Sequence, residues 1–167
     1  VYFFGVFIRC KLNKVIFVSF GITYISLDNK GRLAIPAKAR DYLCVALGST
    51  QLVVTLESPT HLLIYPEPNW RQVEAKLLAL PTANPLLKKY QRLVLGCAET
   101  VEMDVTTGRI LLPAALRSLM DFKKELALSW VGNRFELWDA ATWRAETLSS
   151  LAIDPADLSD CLGDFSL

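Results

Sequence analysis

The sequence predicts a β-rich α+β fold made by internal duplication, and three observations point to it. Residues 30–40 read KGRLAIPAKAR and residues 107–117 read TGRILLPAALR, so Gly31 and Gly108, Arg32 and Arg109, Pro36 and Pro113, and Arg40 and Arg117 fall at equal offsets. An aspartate precedes each copy (Asp28, Asp104), and LLIYPEPNW (62–70) is answered by FELWDAATW (135–143). Between the repeats, short β-favouring runs alternate with turn residues and short helical patterns. Any site carried by such a module is expected twice.

The first module opens near Ile22. Thr23–Leu27 alternates as a strand, and Asp28-Asn29-Lys30-Gly31 is turn chemistry, with carboxylate and amide side chains bonding their own backbone. Arg32–Ile35 returns as a short strand that Pro36 ends, a residue suited to opening a helix over Ala37–Tyr42. Strands are expected at Gln51–Leu56 and Leu62–Tyr65, followed by a helix over Glu67–Leu80 with Trp70, Val73, Leu77 and Leu78 on one face. The repeated Trp70 and Trp143 read as core packing rather than base-stacking platforms. Asn84-Pro85 caps a further helix through Leu95, with Leu86, Leu87, Tyr90, Leu93 and Val94 inward and Lys88, Lys89 and Arg92 outward. That helix is the expected strut between the halves.

The second module repeats the order. Strands at Val101–Asp104 and Arg109–Leu112 flank Thr106-Thr107-Gly108, and a short helix covers Ala114–Leu119. Leu126–Val131 and Arg134–Trp138 meet at a Gly132-Asn133 hairpin turn. Asp139 is a good N-cap for the last helix.

Bulk properties narrow the function. A chain of 167 residues with 52% hydrophobic and 21% charged residues is globular and large enough to bury a core without a metal or disulfide. The net charge of +1 conceals a basic front and an acidic end. Residues 1–50 hold Arg9, Lys11, Lys14, Lys30, Arg32, Lys38 and Arg40 against Asp28 and Asp41, which suits an anionic partner. Residues 145–167 hold Glu146, Asp154, Asp157, Asp160 and Asp164 and no cation, a pattern read as a solvated end.

The scattered cysteines (Cys10, Cys44, Cys97, Cys161) form no CxxC pair and are read as reduced cytosolic thiols, three of them buried. With one histidine, His61, no zinc site or cofactor is expected. His61 is read as a strand-edge residue rather than a catalyst. No G-x-S-x-G turn and no GxxxxGK phosphate loop occurs, so an enzyme is not expected. In residues 1–24, Arg9, Lys11 and Lys14 interrupt the apolar run and leave no uncharged stretch near the ~18–20 residues of a membrane span. Residues 1–19 are read as an N-terminal extension that is poorly ordered or adds a strand, not as a signal peptide.

LDNKGRLAIPAKAR, LLIYPEPNW, NPLLKKYQRLVLG and FELWDAATW together resemble the MraZ family, bacterial transcription regulators with tandem AbrB-like (SpoVT-AbrB) domains. The resemblance runs from about Phe20 to the C-terminus and leaves residues 1–19 outside. It implies an internally duplicated, AbrB-like swapped-hairpin β-barrel with short helices. The modules would span 22–69 and 98–142, joined by helices at 70–97 and followed by a C-terminal helix and acidic tail at 143–167. It further implies a cytoplasmic, nucleoid-associated regulator that binds repeated operator boxes in double-stranded DNA as a ring oligomer. Its target would be its own division and cell-wall gene cluster, commonly repressed. The DxxxR motif of the family is met by Asp28 and Arg32. The second copy, DVTTGR, separates Asp104 from Arg109 by one more residue, which pushes Asp104 off its partner or re-aims Arg109.

These residue types suit DNA. A β-ribbon enters the major groove, where an arginine pairs bidentately with guanine for about 1–3 kcal/mol of discrimination. Arg32 and Arg109 are the candidate base readers, and Lys30 is a phosphate contact. Asn29 sits in the turn, Lys38 and Arg40 extend the positive face, and Asp28 and Asp104 hold the turns or orient the arginines. Arg40 and Arg117 serve equally as structural pairs or phosphate contacts. An Asp–Arg pair across a hairpin is otherwise only a surface salt bridge worth ~0–1 kcal/mol. The runner-up reading is an assembly scaffold or an antitoxin-like AbrB-type partner protein. In that reading the apolar-dotted tail (Leu151, Ile153, Leu158, Leu162, Phe165, Leu167) docks on a neighbouring subunit.

Overall fold

The computed structural model describes residues 20–81 and 83–154, so the expectations for residues 1–19, Cys10, Cys161 and the tail beyond Asp154 lie outside the described residues. The chain runs β1 (Ile22–Ser26), β2 (Arg32–Ala34), α1 (Ala37–Asp41), β3 (Gln51–Leu56), β4 (His61–Pro66), α2 (Glu67–Leu78) and α3 (Pro85–Gly96). It continues through β5 (Glu99–Glu102), β6 (Arg109–Leu111), α4 (Ala114–Met120), β7 (Glu125–Val131), β8 (Arg134–Asp139) and α5 (Ala140–Leu151). The protein is thus α+β and strand-rich, and the element order of one half repeats in the other.

The strands interleave the halves. One antiparallel sheet has the order β1-β7-β8-β4-β3-β5, and β2 pairs with β6 in a separate two-stranded ladder. The first strand of each half lies against the third strand of the other: β1 on β7, from Ile22↔Ser129 to Ser26↔Glu125, and β5 on β3, from Glu99↔Val54 to Glu102↔Gln51. The order is unchanged when the two halves are exchanged, so the chain carries an internal pseudo-two-fold. Among the described residues the large sheet is open, with β1 and β5 at its edges.

One face of this sheet packs on the small ladder. Leu52, Val54, Leu62, Ile64, Leu126, Phe135 and Leu137 meet Leu33, Ile35, Ile110 and Leu112, with Ala39, Leu43 and Leu116 closing the core from α1 and α4. The opposite face buries Val53, Leu63 and Tyr65 under Trp70, Leu77 and Val94 of α2 and α3. Thr55 is fully buried on that side, and its hydroxyl donates to the Val94 carbonyl at 2.6 Å, so its burial leaves no polar group unpaired.

Several local expectations are corrected. Leu86, Tyr90 and Leu93 of α3 are exposed, as is Leu78 of α2, because α3 meets the body along the narrow seam around Val94. β5 begins two residues earlier than the alternation suggested, and buried Met103 follows it, its N–H donating to the Thr50 carbonyl. Pro36 stands at the N-cap of α1 rather than inside its first turn. Beyond α1 the chain winds on through Tyr42–Ala46 in wider turns, closed by Leu47 N–H on the Tyr42 carbonyl. Asn84 and Asp139 cap α3 and α5 through their side chains, as their residue types require. Cys44 and Cys97 are half-buried free thiols rather than buried ones. His61 heads the interior strand β4 and is buried, stacked 4.1 Å from Trp138, so it is not at a sheet edge. No described helix is long and apolar enough to cross a membrane.

Candidate nucleic-acid interface

The β2–β6 ladder has two unlike faces. Leu33 and Ile110, paired at its centre, are 1% exposed and point into the core. The intervening side chains point outward: Arg32 and Ala34 from β2, Arg109 and Leu111 from β6. The register places Arg32 opposite Leu111 and Ala34 opposite Arg109, so the two arginines stand at diagonal corners about the Leu33–Ile110 pair. A cation leads away from each turn at the point where the ladder begins.

The first turn is organised by Asp28. Its Oδ1 accepts from the N–H groups of Lys30 and Arg32, both at 2.9 Å, and its Oδ2 accepts from Arg32 Nε at 2.8 Å. The backbone adds Asp28 N–H to the Arg32 carbonyl and Gly31 N–H to the Asp28 carbonyl. The Arg32 backbone N–H, with its side chain and the Lys30 N–H, holds the Asp28 carboxyl below its ordinary pKa. One edge of the Arg32 guanidinium is thereby fixed. Its two Nη groups, the fork that matches a guanine edge, have no protein partner among the described residues. Asn29 and Lys30 are exposed at the turn.

The second turn is built differently. Asp104 accepts through Oδ1 from Thr107 N–H at 2.7 Å and Thr107 Oγ1 at 3.0 Å, and these bonds, the N–H first, lower its pKa. Thr107 Oγ1 in turn lies 3.4 Å from Arg109 N, as the acceptor. No ion pair joins Asp104 to Arg109 among the described residues. The extra residue has moved the carboxylate off its arginine, and Thr107 has taken the arginine's place. Arg109 leaves the turn exposed.

Each turn also leans on the other half. The Gly31 carbonyl accepts from Leu112 N–H at 3.0 Å, and the Gly108 carbonyl from Ile35 N–H at 2.8 Å. Both glycines have positive φ, +80° and +68°. A Cβ on Gly31 would overlap the Arg117 guanidinium, and one on Gly108 would stand 3.0 Å from the Ile35 carbonyl oxygen. Arg40 is half-buried, its Nη1 donating to the Thr106 carbonyl at 3.2 Å, whereas Arg117 Nε is buried without a partner among the described residues.

The ladder therefore brings Arg32 and Arg109 onto one surface with Asn29 and Lys30 beside the first. It engages Arg40 internally, and it leaves Lys38 exposed on α1 with no polar contact to either turn. Trp70 is buried against Tyr65, and half-buried Trp143 packs edge-on against Trp138, in keeping with a packing role for both. Sequence reasoning placed Thr107 in the turn but missed its hold on Asp104, and it missed the seat of Arg117 on Gly31. The matching offsets of Arg40 and Arg117 were the available signal for the latter.

Comparison with known proteins agrees with the duplication. The family described as "MraZ protein, putative antitoxin-like" matches twice, over residues 20–93 and 94–153. The chain is 64% identical over 147 residues to a protein of Chromobacterium violaceum named "Transcriptional regulator MraZ", covering 88% of this chain and 98% of that protein. Proteins of the same name from Nitrosomonas europaea and Neisseria meningitidis are 45% and 47% identical, each over 88% of this chain and over 98% and 97% of their own lengths. With both halves matched and these relatives aligned nearly end to end, the chain belongs to the MraZ family.

Proposed function

We propose that the chain is a sequence-specific, DNA-binding transcriptional regulator that reads double-stranded DNA with the outer face of the β2–β6 ladder and its two turns. The observation that carries this reading is the diagonal pair Arg32 and Arg109, set on a surface whose inward side chains are locked in the core. Arg32 offers its Nη fork to a base edge, and Arg109 offers a guanidinium that makes no ion pair among the described residues. Lys30 and Lys38 supply phosphate contacts, and Asn29 lies at the tip of the first turn. Asp28 and Asp104 shape the turns without touching DNA. The names of the relatives support regulation of transcription.

Two turns neutralise few phosphates, so one chain binds weakly. Self-association into a ring on repeated boxes upstream of its own division and cell-wall gene cluster raises affinity by about 10²–10⁴ through effective concentration. Repression in the cytoplasm, on the nucleoid, follows from occupying those boxes. The reciprocal exchange of strands supports reading the sheet and ladder as a swapped-hairpin barrel.

The test is fluorescence anisotropy with the duplex upstream of the protein's own gene, a scrambled duplex and a salt series. Wild type is expected to prefer the native duplex, with affinity falling steeply in salt; Arg32→Ala and Arg109→Ala each lose that preference. Binding without preference or salt dependence would overturn the reading. The alternative, an assembly scaffold or antitoxin-like partner, draws on the exposed Leu78, Leu86, Tyr90 and Leu93 of the α2–α3 pair, and salt-insensitive protein binding would favour it.

A further inference from the structure

We infer that Arg40 is a positioning residue for the second turn, so that the first half of the chain sets the direction in which Arg109 leaves the second half. This rests on the DNA-reading role proposed above and adds to it a residue that acts through another. Three observations carry it.

The first is the bond from Arg40 Nη1 to the Thr106 carbonyl. Thr106 belongs to the stretch in which the second turn is one residue longer than the first. The carbonyl that Arg40 holds is therefore part of what makes the second turn different.

The second is the seating of the Arg40 stem. Arg40 Cδ lies 3.5 Å from the place a Cβ on Gly108 would occupy, and Gly108 lies directly before Arg109. The mount is rigid: Arg40 follows Ala39, which is fully buried, and α1 winds on to Leu43, also fully buried. A guanidinium on such a base restrains whatever it binds.

The third is what the second turn lacks. In the first turn, Asp28 binds the backbone and the side chain of its own arginine. In the second, Asp104 is taken by Thr107, and among the described residues no carboxylate hydrogen-bonds or ion-pairs with the Arg109 side chain. The restraint missing within the module is supplied from the other module by Arg40. The counterpart Arg117 lies on Gly31 but has no acceptor for its Nε among the described residues, while the shorter first turn is held by Asp28.

A positioning arginine and a phosphate-binding arginine leave different traces. The full-length protein would be measured against the native and scrambled duplexes across a salt series, as wild type, Arg40→Ala, Arg40→Met, Arg109→Ala and Arg40→Ala/Arg109→Ala. Arg40→Met keeps an unbranched stem over Gly108 while removing the guanidinium donors and their charge, which guards against a variant that fails to fold. Both Arg40 variants are expected to lower the preference for the native duplex about fivefold or more with an unchanged salt slope, and the double variant to lose no more than Arg109→Ala alone. Equal weakening on both duplexes with a salt slope reduced by about one marks a phosphate contact and overturns the inference. Wild-type preference in the Arg40 variants also overturns it.

Amide hydrogen exchange in the free protein separates this from the regulator reading. The Gly108 amide, bonded to the Asp104 carbonyl at 2.7 Å, is expected to exchange about tenfold faster in Arg40→Met and unchanged in Arg117→Ala. An unchanged Gly108 rate in Arg40→Met sinks the positioning role whatever DNA does. A wild type that shows no duplex preference sinks the regulator reading instead, and the exchange rate then decides the bracing alone.

Discussion

Asp28 grips Arg32 from two directions, its Oδ1 taking the Arg32 backbone N–H at 2.9 Å and its Oδ2 the Arg32 Nε–H at 2.8 Å. One side chain thus fixes the turn and aims the arginine that leaves it. An acceptor pair of this kind is hard to replace, because each oxygen serves a donor in a different direction.

Asp28→Asn keeps one oxygen for the backbone N–H groups but turns an NH₂ toward the Nε–H, donor against donor. The expected result is a folded protein whose preference for the native duplex falls about fivefold, less than in Arg32→Ala. Anisotropy on both duplexes measures it, and a preference equal to wild type would show that the ion pair does not aim Arg32.

Replacing the two turn glycines by alanine separates strain from crowding. Both positions have positive φ, so each variant meets a strain of order 1–2 kcal/mol. At Gly31 the new methyl meets the far end of the Arg117 side chain, which can swing away. At Gly108 it meets the Ile35 carbonyl oxygen at 3.0 Å, part of the backbone that bonds back to the turn. Urea denaturation is expected to find Gly108→Ala the more destabilised; the reverse order would contradict the packing described.

Leu33 and Ile110 are the centre of the small ladder and its anchor in the core. Leu33→Ala is expected to cost about 2–5 kcal/mol by denaturant unfolding, through lost burial and the cavity left behind. Ala34, on the outer face of the same strand, is expected to accept serine within about 0.5 kcal/mol.

His61 gives a pH dependence of known sign. Burial lowers its pKa, against the opposing pull of Glu136 and Glu57, and buried Nε2 has no partner among the described residues, so the doubly protonated ring would hold an unpaired N–H. Ser58 and Thr60 hydroxyls flank Nδ1 at 3.2 and 3.0 Å. The unfolded chain binds the proton first, near pH 6.5. Stability is therefore full above that value and falls as pH drops through it toward the lower folded value. Melting temperatures between pH 7 and 5 are expected to fall in wild type and to flatten in His61→Phe, which retains a ring against Trp138.

Much of the local structure was legible because it rests on local chemistry. Asp28, Gly31, Asn84 and Asp139 each act within a few residues of themselves, so their types announce the turn or cap. The displacement of Asp104 from Arg109 was legible too, from one added residue. The exchange of strands was a different matter. Both halves carry the same alternation, so β1 suits β3 and β7 equally by period, and only packing in three dimensions decides. No periodicity supplied that choice. The outward face of α3 was missed for a related reason. Leu86 and Leu93 have the spacing of a buried stripe, but the surface facing α3 is narrower than the stripe.

The pseudo-two-fold has a consequence beyond packing. Two identical turns would make the exposed ladder look the same after half a revolution, with no beginning and no end. Because both halves share one chain, one turn can lengthen while the other stays short, a freedom that a pair of identical subunits lacks. The added residue beside Thr106, with Ala34 on one strand where the other carries Leu111, gives the surface a heading, and a strand of polymer laid across it meets a different corner first from each side.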